Sequence, residues 1–103
     1  MIDEMNPWEA FVKDRPEIVE AYEELMKRIN KNNALDKKTM ALIHIGIYST
    51  IREPGALRHF IGEALRAGAT KEETEVAALL AFGVGVSSAE LSIPIILGLT
   101  NDK

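Results

Sequence analysis

His59-Phe60-Ile61-Gly62-Glu63-Ala64-Leu65-Arg66-Ala67-Gly68-Ala69-Thr70 is the stretch that decides the fold. It spells the body and the stop of one helix. Pro54, directly after Glu53, suits a first helical turn, because its missing N–H would have no intrahelical partner there. Leu57, Ile61, Ala64, Leu65 and Gly68 recur at helical spacing, with Gly68 at the stop. Thr70 with Glu73 then makes a Thr-x-x-Glu capping box that opens another helix.

Outward from this stretch the pattern stays helical. Towards the N-terminus, Asn6, Pro7 and Glu9 predict a capped short helix carrying Trp8, Phe11 and Val12. Asp14 and Pro16 predict the start of a second, with Ile18, Ala21, Tyr22, Leu25, Met26 and Ile29 as its apolar stripe. Its opposite, charged face reads as solvated. Lys31-Asn32-Asn33 ends it. Asp36 caps a third helix running to about Ile51, apolar around most of its circumference, as suits a central or shared element.

Beyond Thr70, a fifth helix is expected from Lys71 to about Gly83, burying Val76, Leu79 and Leu80. Gly83-Val84-Gly85-Val86-Ser87-Ser88 reads as a break before a last helix bearing Leu91, Ile93, Ile95, Ile96, Leu97 and Leu99. No run alternates with period two. The expected fold is all-α: residues 1–103 as a single antiparallel bundle of about six helices. An N-terminal hairpin occupies 1–33 and a core occupies 35–100.

The His59-led helix ending in Gly68-Ala69-Thr70, followed by Glu72-Glu73, resembles the carboxymuconolactone decarboxylase family, which includes the alkylhydroperoxidase D proteins. The likeness extends over about Leu35 to Leu97, with Leu35-Asp36-Lys37-Lys38-Thr39 standing where the family often has a similar run. It implies an alkylhydroperoxidase D-like bundle and three possible roles. One is a lyase of the decarboxylase type acting on a small carboxylate or lactone. Another is a non-catalytic ligand-binding or scaffold protein. The third is oxygen or peroxide detoxification through a bound cofactor or a partner.

Redox-active relatives carry Cys-x-x-Cys-x-x-x-His at the helix start, two thiols with a histidine that relays protons. Placing His59 at that histidine puts Arg52 and Gly55 at the cysteine positions, and Met40 or Ala41 at the relay glutamate. The chain has 0 cysteines, which rules out thiol peroxidase chemistry, disulfides and thiolate metal sites alike.

Five further residues join His59 as candidates. His59 itself is either a surface histidine paired with Glu63 one turn on or a proton-transfer residue. His44 lies in the apolar stripe of the third helix between Met40 and Tyr48. It reads as a core histidine with one satisfied hydrogen bond, or as a pocket residue together with Tyr48. Arg52 and Arg58 could hold a substrate carboxylate, or be solvated helix charges. Glu90, alone among apolar neighbours, needs a partner or solvent. A His44–His59–Glu90 or a His59–Glu63 metal set is conceivable, but no metal and no cofactor is assigned. No phosphate loop, nucleophile elbow or catalytic triad is present.

The formal net charge of −4, without a basic cluster, argues against nucleic acid. From Val76 to Asn101 the sole charge is Glu90, but the glycines, paired serines, Glu90 and Pro94 argue against a membrane span. Met1-Ile2-Asp3-Glu4 is acidic, not a secretory signal, so a cytoplasmic protein is expected. The apolar third and last helices lead to the expectation of a homo-oligomer, a trimer or a hexamer by family likeness, with a small-molecule ligand as a further partner.

Overall fold

A computed structural model describes residues 6–100; the reading of Met1-Ile2-Asp3-Glu4 lies outside them. Six α-helices follow in order: α1 Pro7–Asp14, α2 Pro16–Asn30, α3 Lys37–Ile51, α4 Pro54–Arg66, α5 Lys71–Leu79 and α6 Gly83–Thr100. A 3₁₀ turn, Leu80–Phe82, joins the last two. No strand occurs among the described residues. The all-α expectation holds. The chain divides into two compact units, Met1–Ala34 and Leu35–Lys103.

In the first unit, Asn6 caps α1 by accepting the Glu9 N–H at 2.8 Å, with Pro7 in the first turn. Asp14 does not cap α2. It is the last residue of α1, and Arg15 stands at the cap with no side-chain hydrogen bond. The hairpin closes on an edge different from the expected stripe. Val19 is buried and Met26 half-buried, whereas Ile18, Tyr22, Leu25 and Ile29 stay open. Trp8 bridges the two helices, with its ring 6.1 Å from Tyr22 and 6.0 Å from Phe11.

The second unit is built on α3. Asp36 caps it by accepting the Thr39 N–H at 2.7 Å. The core is small: Ala41 and Ile45 of α3, Ala64 of α4, Ala69, and Ala77 of α5, with Leu42, Leu57, Phe60, Ile61 and Ala78 packed around them. Among the described residues, Ile45 is the one large side chain removed completely from solvent. Gly46 faces α5 closely: a Cβ there would meet the Ala77 carbonyl oxygen at 3.5 Å, an ordinary contact distance.

Helix α4 ends as its sequence predicts. Gly68 takes φ +97°, a conformation glycine reaches without strain. The Ala69 and Gly68 N–H groups return to the carbonyls of Ala64 (2.9 Å) and Leu65 (3.1 Å), which satisfies the helix end. The capping box then forms: Glu73 N–H to Thr70 Oγ1 at 3.0 Å and Thr70 N–H to Glu73 Oε1 at 2.9 Å. Thr70→Ala is expected to cost about 1 kcal/mol, read as a lower urea midpoint with an unchanged slope.

Two expectations fail beyond α5. Gly83–Ser88 is not a break but the first turns of α6, entered through helical backbone at Leu79, Leu80 and Gly83. The sequence signal was misleading because glycines tolerate helical angles when no neighbour demands otherwise. Nor are Val76, Leu79 and Leu80 buried; they are 49%, 54% and 76% exposed. Every residue from Phe82 to Thr100 is exposed. By length and composition, Lys71–Thr100 is one helical run of 30 residues apolar enough to cross a membrane. Pro94 sits inside α6, so the Glu90 carbonyl loses its usual i+4 donor.

Candidate functional site

The α3–α4 junction places the candidates. Arg52 ends α3 at φ 59°, a left-handed conformation rare for a residue with a Cβ. The Glu53 N–H reaches back to the Tyr48 carbonyl at 3.1 Å, closing the helix end. Glu53 then caps α4, its carboxylate accepting the N–H groups of Ala56 (2.9 Å) and Gly55 (3.3 Å). A helix N-terminus favours negative charge. The N-terminus of α4 is thus occupied by the chain's own carboxylate.

Helix α3 presents His44 and Tyr48 one turn apart, and α4 packs Phe60 against both. The three rings lie nearly parallel: His44–Phe60 centroids are 4.1 Å apart at 7°, and Tyr48–Phe60 5.4 Å apart at 8°. His59 meets the same Phe60 edge-on, at 4.8 Å and 80°. Phe60 is therefore the common neighbour of both imidazoles. It went unnoticed in the sequence because it sits beside His59 in a position that reads as ordinary core.

The two histidines differ in freedom. His44 is half-buried, with Nδ1 2.9 Å from the Met40 carbonyl oxygen. A carbonyl only accepts, so Nδ1 carries the proton, and Nε2 of the neutral ring is left as the acceptor. His59 has 59% of its side chain exposed, and its Nε2 lies 3.7 Å from Glu63 Oε1. The same oxygen is 3.4 Å from Arg66 Nη2. The structure thus brings His44, Tyr48 and His59 together around Phe60, with Glu63 beside His59.

Other candidates stand apart from this group. Arg52 and Arg58 are exposed, and neither makes an ion pair among the described residues. Glu90, on α6, is exposed rather than buried. No three side chains of His, Asp or Glu cluster in ligating range among the described residues, so His44, His59 and Glu90 do not converge.

Two acids are shifted, both outside the ring stack. Hydrogen bonding from the Thr70 backbone, helped by Lys38 Nζ at 3.2 Å, holds the Glu73 carboxyl below its ordinary 4.5. The Thr39 N–H holds Asp36 below 3.8. Both groups release protons more readily when folded, so their contribution is present above those values and is lost as pH falls through the lowered ones. Stability is expected to fall in acid below about pH 4.5. Glu73→Gln should flatten that limb, as followed by circular dichroism during acid titration.

An apolar groove lies elsewhere. It is open, about 750 Å³, and runs between α3 and α5 over Leu42, Gly46, Thr50, Ala77 and Ala81, with Glu72 and Glu73 at one end. None of the six candidate residues lines it.

Fold and sequence converge on one assignment. The family described as "Carboxymuconolactone decarboxylase family" matches residues 16–95. The chain belongs to the carboxymuconolactone decarboxylase family. The match begins 19 residues before Leu35, so it takes in α2, which the sequence reading had placed outside the family core. A crystal structure of a protein from Methanobacterium thermoautotrophicum, a structural genomics target, is similar at a TM-score of 0.75 and 26% identity. It covers 84% of this chain and 97% of its own. No curated protein matches the chain.

Proposed function

We propose that this chain is a Cys-less, decarboxylase-type enzyme acting on a small carboxylate- or lactone-bearing substrate through proton transfer at His59, and that it works as a homo-oligomer, a trimer or a hexamer. The observation that supports the chemistry is the Phe60 ring, which holds His44 against one face and His59 at its edge. An apolar floor with a few titratable atoms suits a small organic acid.

In such a reaction the bond between carbon and the departing carboxylate breaks. Carbon dioxide leaves, and the electron pair moves into the conjugated lactone carbonyl. The carbon left behind then takes a proton. His59 as imidazolium supplies it, and Glu63 at 3.7 Å stabilises the charged ring. Arg52 or Arg58 would hold a second, non-reacting carboxylate. Gripping the departing one would stabilise the ground state and slow its loss. The test is carbon dioxide release from a panel of unsaturated lactone acids by the purified protein. Release above the uncatalysed rate supports the reading, and none across the panel overturns it.

Peroxide turnover by the chain's own thiols has no chemical basis, with 0 cysteines. Dithiothreitol-dependent hydroperoxidase activity is expected to be absent from metal-free protein in a coupled peroxide assay.

The assembly rests on α6. Leu91, Ile93, Ile95, Ile96, Leu97 and Leu99 are 48–75% exposed, and each large aliphatic left in water forgoes roughly 1.5–3 kcal/mol of burial. Light scattering should give a multiple of 11.4 kDa. A stable monomer would overturn it.

A further inference from the structure

We propose that the C-terminal half of α6 seats in the α3–α5 groove of a second copy of this chain, antiparallel to α5. The proposal rests on the homo-oligomer reading and specifies its contact. Within the Leu35–Lys103 unit neither surface has an occupant. The groove has a floor of small residues (Gly46, Ala77 and Ala81) and apolar walls. Leu91, Ile95 and Leu99, spaced one turn apart on α6, are 69%, 56% and 75% exposed. Small floor and large knobs are complementary.

Lengths agree as well. Leu42 to Thr50 rises about 12 Å along α3, and Leu91 to Leu99 rises about 12 Å along α6. Helix α6 cannot fill the groove of its own chain. Backbone angles at Leu79 (φ −66°, ψ −22°), Leu80 (−62°, −17°) and Gly83 (−62°, −20°) keep the chain helical, so α6 continues away from α5 without reversing. A second copy can supply the α6 that the groove's own chain cannot, and because every copy carries both surfaces the contact can repeat around a closed ring.

Charge sets the direction. Glu72 and Glu73 mark the end of the groove at the start of α5, and Thr50, Leu80 and Ala81 mark the other. Glu90 immediately precedes the knob segment. Seating it at the Leu80 end keeps it from the acidic pair and lets it reach solvent at the groove mouth. A bilayer is the competing surround for an apolar helix. Glu90 in mid-run makes that surround costly but sits without penalty at the groove mouth.

Because the chain has no cysteine, engineered thiols report the contact without background. Leu80→Cys and Leu91→Cys chains, carrying different tags, are mixed, allowed to exchange subunits, and oxidised. A mixed disulfide is expected as the dominant product, and Leu80→Cys with Leu99→Cys should give none. Circular dichroism and light scattering on each variant check fold and assembly. A preserved oligomer with no Leu80–Leu91 link, or with a Leu80–Leu99 link instead, overturns the seat and leaves the oligomer reading standing. A folded monomer overturns both. Partition of the unmodified chain into phospholipid vesicles, with no cross-link in solution, assigns α6 to the bilayer and also overturns the seat.

Discussion

His59→Gln is expected to slow carbon dioxide release from a lactone acid by roughly 10²–10⁴-fold, the usual contribution of a general acid. Glutamine keeps a polar side chain of similar reach but cannot carry a transferable proton. Stability should barely move, because 59% of the His59 side chain is in solvent and its one ionic neighbour, Glu63, keeps Arg66 at 3.4 Å. The kinetic constants separate this role from a structural one: the variant should lose kcat with KM nearly unchanged. His44→Gln serves as the contrast. It removes a ring stacked 4.1 Å from Phe60, so it should alter substrate affinity and stability together. An unchanged rate in His59→Gln, measured on a substrate the wild type turns over, returns His59 to an ordinary surface histidine.

Ile45→Ala should lower the stability of the Leu35–Lys103 unit by about 2–5 kcal/mol, the range for a fully buried aliphatic truncated to alanine. The upper half of that range is the expectation. Ile45 is 0% exposed, and its buried neighbours Ala41, Ala64, Ala69 and Ala77 are too small to move into the void. Domains of this size have about 5–15 kcal/mol in all, so the variant should sit near the edge of folding. Urea denaturation checks it. A loss below about 1 kcal/mol would mean that the core collapses around the cavity or that stability comes from contacts between chains.

Helix α4 was legible in the sequence because its signals are local. Pro54 at the first turn, Gly68 at the stop and the Thr70–Glu73 box each act within one turn of chain. The same holds for Asp36 on α3. Gly83–Ser88 was misread because glycine there records permissiveness rather than a required turn. Burial of α5 and of the α2 stripe was misjudged for a different reason. Periodicity identifies an apolar face, but not whether the surface that covers it belongs to the same chain. The site was half legible. His44 and His59 could be singled out by residue type, but their meeting at Phe60 depends on how α4 packs across α3. That packing is non-local, and no spacing encodes it. The α3–α5 groove was invisible for the same reason: its floor is defined by the smallness of Gly46 and Ala77.

That close approach at Gly46 also makes the C-terminal arm a lever. Residues 71–100 form one unbroken helical run, and Ala77, lodged against Gly46, is its fulcrum. The short arm back to Lys71 is about 9 Å and the long arm out to Leu99 about 33 Å, at 1.5 Å per residue. A tilt that displaces the capping box by a fraction of an ångström swings the tip nearly four times as far. The direction of α6 relative to α3 is therefore sensitive to residue size at position 46, in the middle of α3. A methyl group at position 46 would meet the Ala77 carbonyl oxygen at ordinary contact distance, whereas a branched side chain would have to lift the fulcrum. Residue size at that one position is the input and the two arm lengths are the gear ratio, converting sub-ångström packing in a small core into the angle of a long apolar arm.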